Sequence, residues 1–211
     1  MEWTSLFLNT TNKKIFILGT GEVAHRRANK FIDSGSKIVL VGNNISKELI
    51  DKGAILDKDN SNKNLKKLVD WSDIVVIASG NHKLNEYVSS ISDEKLLNRA
   101  DYPDKGNLIV PTSFHIEDIQ ISIFTNSKSP LMARELRKKI QKLITDEDLL
   151  QIKLQDYSRD ILKEKFDNQK DRKEYLYKIL KNNDIKNLLK MKKLEEAKKI
   201  AEDIINQGGS L

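Results

Sequence analysis

The first half of the chain alternates short, nearly continuous apolar runs with stretches in which apolar residues return every three or four positions. Lys14–Leu18, Lys37–Val41, Ala54–Leu56 and Ile74–Ala78 have the length and β-branched content of strands, whereas Glu22–Ser34, Ile45–Lys52, Asn64–Asp70 and Lys83–Ile91 carry helical spacing. This alternation predicts a parallel sheet covered by helices on both faces. Ile74-Val75-Val76-Ile77 shows no polar alternation, as a strand buried on both sides requires, and is expected at the centre of the sheet. After Pro103 the rhythm changes: Leu108-Ile109-Val110 and Ile119-Gln120-Ile121-Ser122-Ile123 read as strands with no helix between them, which predicts an antiparallel hairpin. Ser129-Pro130 opens a helix running through Ile144, with Pro130 at a tolerated first-turn position and Met132, Leu136, Ile140 and Leu143 on one face. From Thr145 no glycine interrupts the helical spacing until Gly208, so the tail is expected to be helical.

Gly19-Thr20-Gly21-Glu22-Val23-Ala24 joins the first strand to the first helix. Two glycines let the backbone turn tightly and approach a phosphate, small Ala24 lets helix and strand pack closely, and the amides at the helix start attract an anion. Gly19, Thr20, Gly21, Glu22 and Val23 are therefore candidates to hold a dinucleotide diphosphate; the same glycines would also serve a bare strand-to-helix turn. In NAD sites an acid about twenty residues further on commonly binds the ribose hydroxyls. Here the second strand ends in Gly42-Asn43-Asn44, and neutral Asn43 and Asn44 can bond a ribose without repelling a phosphate, or simply form a turn. Ser79 falls at the carboxyl end of a strand, where open α/β sheets receive ligands.

Composition narrows the partners. At 211 residues the chain has room for one domain with an appendage or for two modest domains. The net charge of +6 favours anionic partners, whether nucleic acid, a membrane surface or a polycarboxylate. The runs Arg137-Lys138-Lys139 and Lys192-Lys193 are short and sit among acids at helical spacing, so they read as solvated helix faces, and no nucleic-acid partner is expected. No apolar stretch has bilayer length and Met1–Asn12 lacks the features of a secretory signal, so a soluble cytoplasmic protein without a membrane partner is expected. With no cysteine, disulfides, thiolate metal sites and cysteine nucleophiles are excluded. His25, His82 and His115 lack the short spacing of a ligand pair, and no protein metal site is assigned.

Several separated segments together resemble the precorrin-2 dehydrogenase family, the NAD-dependent half of siroheme synthases, over about the first two-thirds of the chain. They are Ser5-Leu6-Phe7-Leu8 before the first strand, Gly19 to Ala28, Val76-Ile77-Ala78-Ser79 with Leu84-Asn85, Asn98-Arg99-Ala100-Asp101-Tyr102-Pro103, Leu108-Ile109-Val110-Pro111, and Ser129-Pro130-Leu131-Met132-Ala133-Arg134-Glu135-Leu136-Arg137-Lys138-Lys139. The chain departs from the family at Thr20, where a glycine is usual, at Ser79-Gly80-Asn81, and at Phe124–Lys128, which replaces a Ser-x-Gly-Gly loop.

The resemblance implies an α/β fold: a Rossmann-type NAD-binding domain over 1–113, a small α+β dimerisation segment over 114–145 and a helical C-terminal domain over 146–211. It implies oxidation of precorrin-2, a polycarboxylate tetrapyrrole, to sirohydrochlorin with NAD, in siroheme or related tetrapyrrole biosynthesis, with iron insertion as an added activity in some members, by a homodimer. Asp101 takes the family's acid/base position, a role that calls for a carboxyl pKa raised by desolvation; it could also be a turn former before Pro103. Lys128, Arg134, Arg137 and Lys138 are candidate partners for substrate carboxylates, and Thr125 stands where some members carry a substrate-facing serine. Two alternatives remain: a nucleotide-binding regulatory dimer without chemistry, and an idle paralogue that keeps both ligands.

Overall fold

A computed structural model describes residues 2–207 and separates into two compact units, divided between Pro111 and Thr112. In the first unit five parallel strands, β1 (Lys14–Leu18), β2 (Lys37–Val41), β3 (Ile55–Asp57), β4 (Ile74–Ile77) and β5 (Leu96–Arg99), lie in the order β3-β2-β1-β4-β5. The helices α1 (Glu22–Ile32), α2 (Lys47–Asp51), α3 (Asn62–Trp71) and α4 (His82–Ser90) alternate with them.

Because successive strand residues point to opposite faces, the apolar runs feed two cores. Ile15, Ile17, Ile38, Leu40, Ile74 and Val76 pack with Ala24, Ala28 and Phe31 of α1 and Leu49 of α2. Phe16, Leu18, Val39, Val41, Val75 and Ile77 pack with Leu65, Leu68 and Val69 of α3 and Val88 of α4. Ala24 and Ala28 are fully buried, the small contact face that lets α1 lie close to the sheet.

β4 is an interior strand as expected, buried along its length between β1, which holds the middle of the sheet, and β5. Two other features of this unit differ from the sequence pattern. Leu96–Arg99, unassigned from sequence, is the fifth strand; its Leu-Leu-Asn-Arg pattern hides a strand because Asn98 and Arg99 are buried polar residues, at 2% and 1% exposure. Leu108–Val110 is not a strand. It is anchored at its start by Leu108 N–H donating to Leu97 O, and Val110 joins the α1 core. Burial alone makes this stretch apolar, which periodicity cannot tell from strand pairing. The segment that follows is tethered to α1: Arg27 Nη1 donates to Val110 O at 2.6 Å and Lys30 Nζ to Pro111 O at 3.1 Å. Burial, with the Arg27 charge second, pushes the Lys30 ammonium down to about 8.

The second unit begins with the antiparallel hairpin β6 (Thr112–Ile116) and β7 (Ile119–Ile123), turning at Glu117 and Asp118. Helix α5 (Pro130–Leu143) follows, capped by the Ser129 hydroxyl accepting from Met132 N–H. Then come α6 (Asp146–Lys165), α7 (Gln169–Lys181), α8 (Asn183–Lys190) and α9 (Leu194–Gln207), which close on Leu154, Leu162, Ile179, Ile185, Leu189, Ala197, Ala201 and Ile205. Thr145 and Asp148 form a capping box that starts α6 sharply after α5. Among the described residues no helix is long and apolar enough to cross a membrane.

Two backbone sites generate predictions. Gly19 has φ +116°, and a Cβ there would meet Ala78 O at 2.4 Å; Gly21 has ordinary φ and open space. Gly19→Ala is expected to lose at least about 2 kcal/mol in denaturant melts, from backbone strain plus overlap, and Gly21→Ala less than about 1 kcal/mol. Equal losses would contradict the geometry. In the β7–α5 loop, Asn126 and Ser127 have φ of 53° and 59°. Ser127→Gly is therefore expected to gain up to about 1 kcal/mol, the relief of left-handed strain less the entropy glycine adds to the unfolded chain.

Candidate functional site

The strand order reverses between β1 and β4, and open α/β sheets leave a crevice at the carboxyl ends of the strands on either side of such a point. Gly19 N–H donates to Val41 O at 2.9 Å and Ala78 N–H to Leu18 O at 2.8 Å, so the glycine turn is pinned between the ends of β2 and β4. Among the described residues no side chain caps α1, whereas Ser46, Ser61 and Asn81 cap α2, α3 and α4. The first amides of α1 thus face the open space at Gly21 with a helix dipole behind them, which suits a diphosphate.

Thr20 does not crowd that space. Its side chain lies over Gly42, where a Cβ would meet Thr20 Cγ2 at 2.5 Å, and Thr20 Oγ1 accepts from Asn43 N–H at 3.3 Å. A second strut comes from α1. Ser46 N–H can only donate, so His25 Nε2 accepts from it at 3.1 Å, and His25 Nδ1 carries the proton and donates to Gly21 O at 3.1 Å. Thr20 and His25 therefore hold the β2–α2 loop, with exposed Asn43 and Asn44, against the glycine turn. Gly42 and His25 were not singled out as site residues from sequence; the small residue before the asparagine pair was the available signal for Gly42.

At the carboxyl ends of β4 and β5 a polar chain links Ser79 to Asp101 through Asn85, which carries part of the family resemblance but has no site role in the sequence pattern. Asn85 on α4 is 2% exposed, and both ends of its amide are engaged. Its Oδ1 accepts from Ser79 Oγ at 2.5 Å, and its Nδ2 donates to Ser79 O at 2.9 Å and to Asp101 Oδ2 at 3.0 Å. Asp101 also accepts from Arg99 Nε and Arg99 Nη2, both at 2.8 Å. Arg99 Nη2 donates to Glu86 at 2.9 Å, and Lys105 Nζ to the same carboxylate at 3.1 Å. Burial pushes the Asp101 carboxyl up, but the hydrogen bonds and charge of Arg99, with the Asn85 amide, outweigh it and hold the group below the usual carboxylate range. The raised pKa that a proton acceptor at this position calls for is therefore absent; Arg99 is the reason. The spacing carried the signal, since residues two apart at a strand end share a side.

The remaining candidates lie in the second unit. Thr125 Oγ1 donates to Ser129 O at 3.1 Å and closes the loop before α5. Arg137 stacks over the Phe114 ring at 5.4 Å and Lys138 pairs with Glu135 at 2.8 Å, while Lys128 and Arg134 are exposed. Arg134, Arg137 and Lys138 are brought together on α5, and Lys128 precedes it in the loop. Among the described residues no group of three or more His, Asp or Glu is gathered as metal ligands.

Residues 6–112 match a family model described as "Putative NAD(P)-binding". The chain is 31% identical over 191 residues to a precorrin-2 dehydrogenase of Methanosarcina barkeri, covering 86% of this chain and 84% of that protein. It is 27% identical over 180 residues to a siroheme synthase of Ruthia magnifica, covering 82% of this chain and 37% of that longer protein. A solved structure, SirC, a precorrin-2 dehydrogenase, superposes with a TM-score of 0.75 over 95% of this chain and 100% of its own, at 20% identity, and shows the shared fold. The glycine turn, the length of the family match and the coverage of the Methanosarcina barkeri relative place this chain in the NAD(P)-binding precorrin-2 dehydrogenase family.

Proposed function

We propose that this chain oxidises precorrin-2 to sirohydrochlorin with NAD, in siroheme or related modified-tetrapyrrole biosynthesis, and that it works as a homodimer. The observation that carries the reading is the junction, within one unit, of an uncapped glycine turn at the end of β1 with a charged carboxylate, Asp101, just beyond β5, linked by Ser79 and Asn85. The reaction removes one hydride and one proton from the tetrapyrrole, and NAD, when bound, accepts the hydride. The backbone at Gly19, Thr20, Gly21, Glu22 and Val23 holds the diphosphate, Asn43 and Asn44 the ribose, and Ser79 the nicotinamide end. Asp101 meets the tetrapyrrole where positive charge develops and a proton departs. Lys128, Arg134, Arg137 and Lys138 supply cations for the substrate carboxylates, with Thr125 ordering their loop.

The dimer reading is supported by α5. Of its apolar residues Ala133 is buried, but Leu131, Met132, Leu136 and Leu143 are 67%, 46%, 36% and 75% exposed. A row of apolar side chains on one helix of a single chain is the surface an isologous partner covers.

Anaerobic incubation with precorrin-2 and NAD, followed by absorbance of NADH and sirohydrochlorin, tests the chemistry. Wild type is expected to turn over, and Asp101→Ala to lose about a hundredfold or more in kcat. Binding of both ligands without turnover would overturn the reading in favour of an idle paralogue. Light scattering at micromolar concentration is expected to give a dimer that Leu131→Glu with Leu143→Glu converts to monomer; a monomeric wild type would contradict the dimer.

A further inference from the structure

Asp101 has neighbours that a freely titrating base would not have. Both of its oxygens are engaged by the forked face of one guanidinium, through Arg99 Nε and Nη2, and Asn85 Nδ2 adds a third donor. Arg99 is itself 1% exposed, a full-length cation inside the sheet edge, and its Nη1 is buried with no hydrogen-bond partner among the described residues. Such a group can persist only with anions against it. Those anions are Asp101 and Glu86, and Lys105 closes the set at Glu86. Two cations and two carboxylates balance only while Asp101 is ionised; a proton on Asp101 leaves a buried guanidinium short of one counter-charge. The titratable and charged groups around this carboxylate are Arg99 from β5, Glu86 from α4 with His82 3.8 Å beyond it, and Lys105 from the turn after Pro103.

We propose that Arg99 is a positioning residue for the dehydrogenation: it keeps the Asp101 carboxylate charged and in one orientation, so that Asp101 meets the substrate as a fixed anion. The side of each Asp101 oxygen not taken by Arg99 or Asn85 then faces the reacting ring. As the hydride leaves, the ring gains positive charge, which the fixed anion stabilises; the proton that balances the oxidation leaves afterwards to water. Electrostatic preorganisation of this kind requires the charge to be in place before the reaction. The proposal rests on Asp101 being the group that meets the tetrapyrrole.

The test compares wild type, Arg99→Met, Arg99→Lys and, as a control for lost stability, Leu97→Ala, a core change on the same strand away from the network. Two readouts are taken: the acid limb of the pH–kcat profile, and the titration of the Asp101 carboxyl carbon by NMR in the free protein. Since Arg99 holds the carboxyl down, its charge survives to lower pH in wild type, and the acid limb lies at the low end of the range. Arg99→Met is expected to move both the limb and the NMR midpoint up by about one pH unit or more. Arg99→Lys, which keeps the charge and loses the fork, is expected to move them less while lowering kcat by about tenfold. Leu97→Ala is expected to melt earlier with neither moved. A folded Arg99→Met protein whose midpoint matches wild type would overturn the proposal. If wild type fails to oxidise precorrin-2, the functional reading falls, and the NMR midpoints still decide whether Arg99 sets the state of Asp101.

Discussion

The first unit depends on how closely one backbone passes another. Gly19, at φ +116°, leaves β1 with its Cα against the carbonyl of Ala78, where a side chain would sit 2.4 Å from oxygen. That approach lets β1 end in a turn instead of continuing over the sheet edge, and it aims α1 back across β1 with its first amides at the crevice. The apolar strands enforce the arrangement: β1 is paired on both sides, with β2 and β4, so any side chain at Gly19 must displace a strand in the middle of the core. Thr20 and His25 then fix the neighbouring β2–α2 loop to the turn.

Around the crevice the structure spends polar groups freely, yet nearly all are satisfied by one another. Ser79, Asn85, Asp101, Arg99, Glu86 and Lys105 form one connected chain from the end of β4 to the turn after β5. Removing one member of a buried ion pair typically costs about 3–5 kcal/mol, because the partner charge is stranded. A network of this kind trades tolerance of substitution for a fixed electrostatic field, which suits a reaction whose hydride acceptor brings its own chemistry and asks the protein for orientation and charge.

Much of this was legible in the residues. The strands Lys14–Leu18, Lys37–Val41 and Ile74–Ile77, the glycine turn, the Ser129-Pro130 helix start and the helical character of the tail follow from periodicity and local backbone chemistry, and each is present. What escaped was tertiary. Leu96–Arg99 carries buried Asn98 and Arg99 that only long-range partners explain: Asn98 donates to Leu108 O, and Arg99 to Asp101 and Glu86. Leu108–Val110 is apolar because α1 covers it, not because it pairs. The basic residues after the glycine motif are partly used on carbonyls, since Arg27 and Lys30 tether the segment at Val110 and Pro111. The ionised state of Asp101 could not be read from its own position, because it is set by a guanidinium whose direction depends on strand pairing.

The most direct measurement of the central claim is a crystal structure of the protein grown with NAD. The account predicts diphosphate oxygens on the amides of Glu22 and Val23, ribose beside Asn43 and Asn44, and the nicotinamide ring on the Ser79 side of the crevice. Coenzyme bound elsewhere, with the Gly19–Val23 turn and its amides left to solvent, would contradict it.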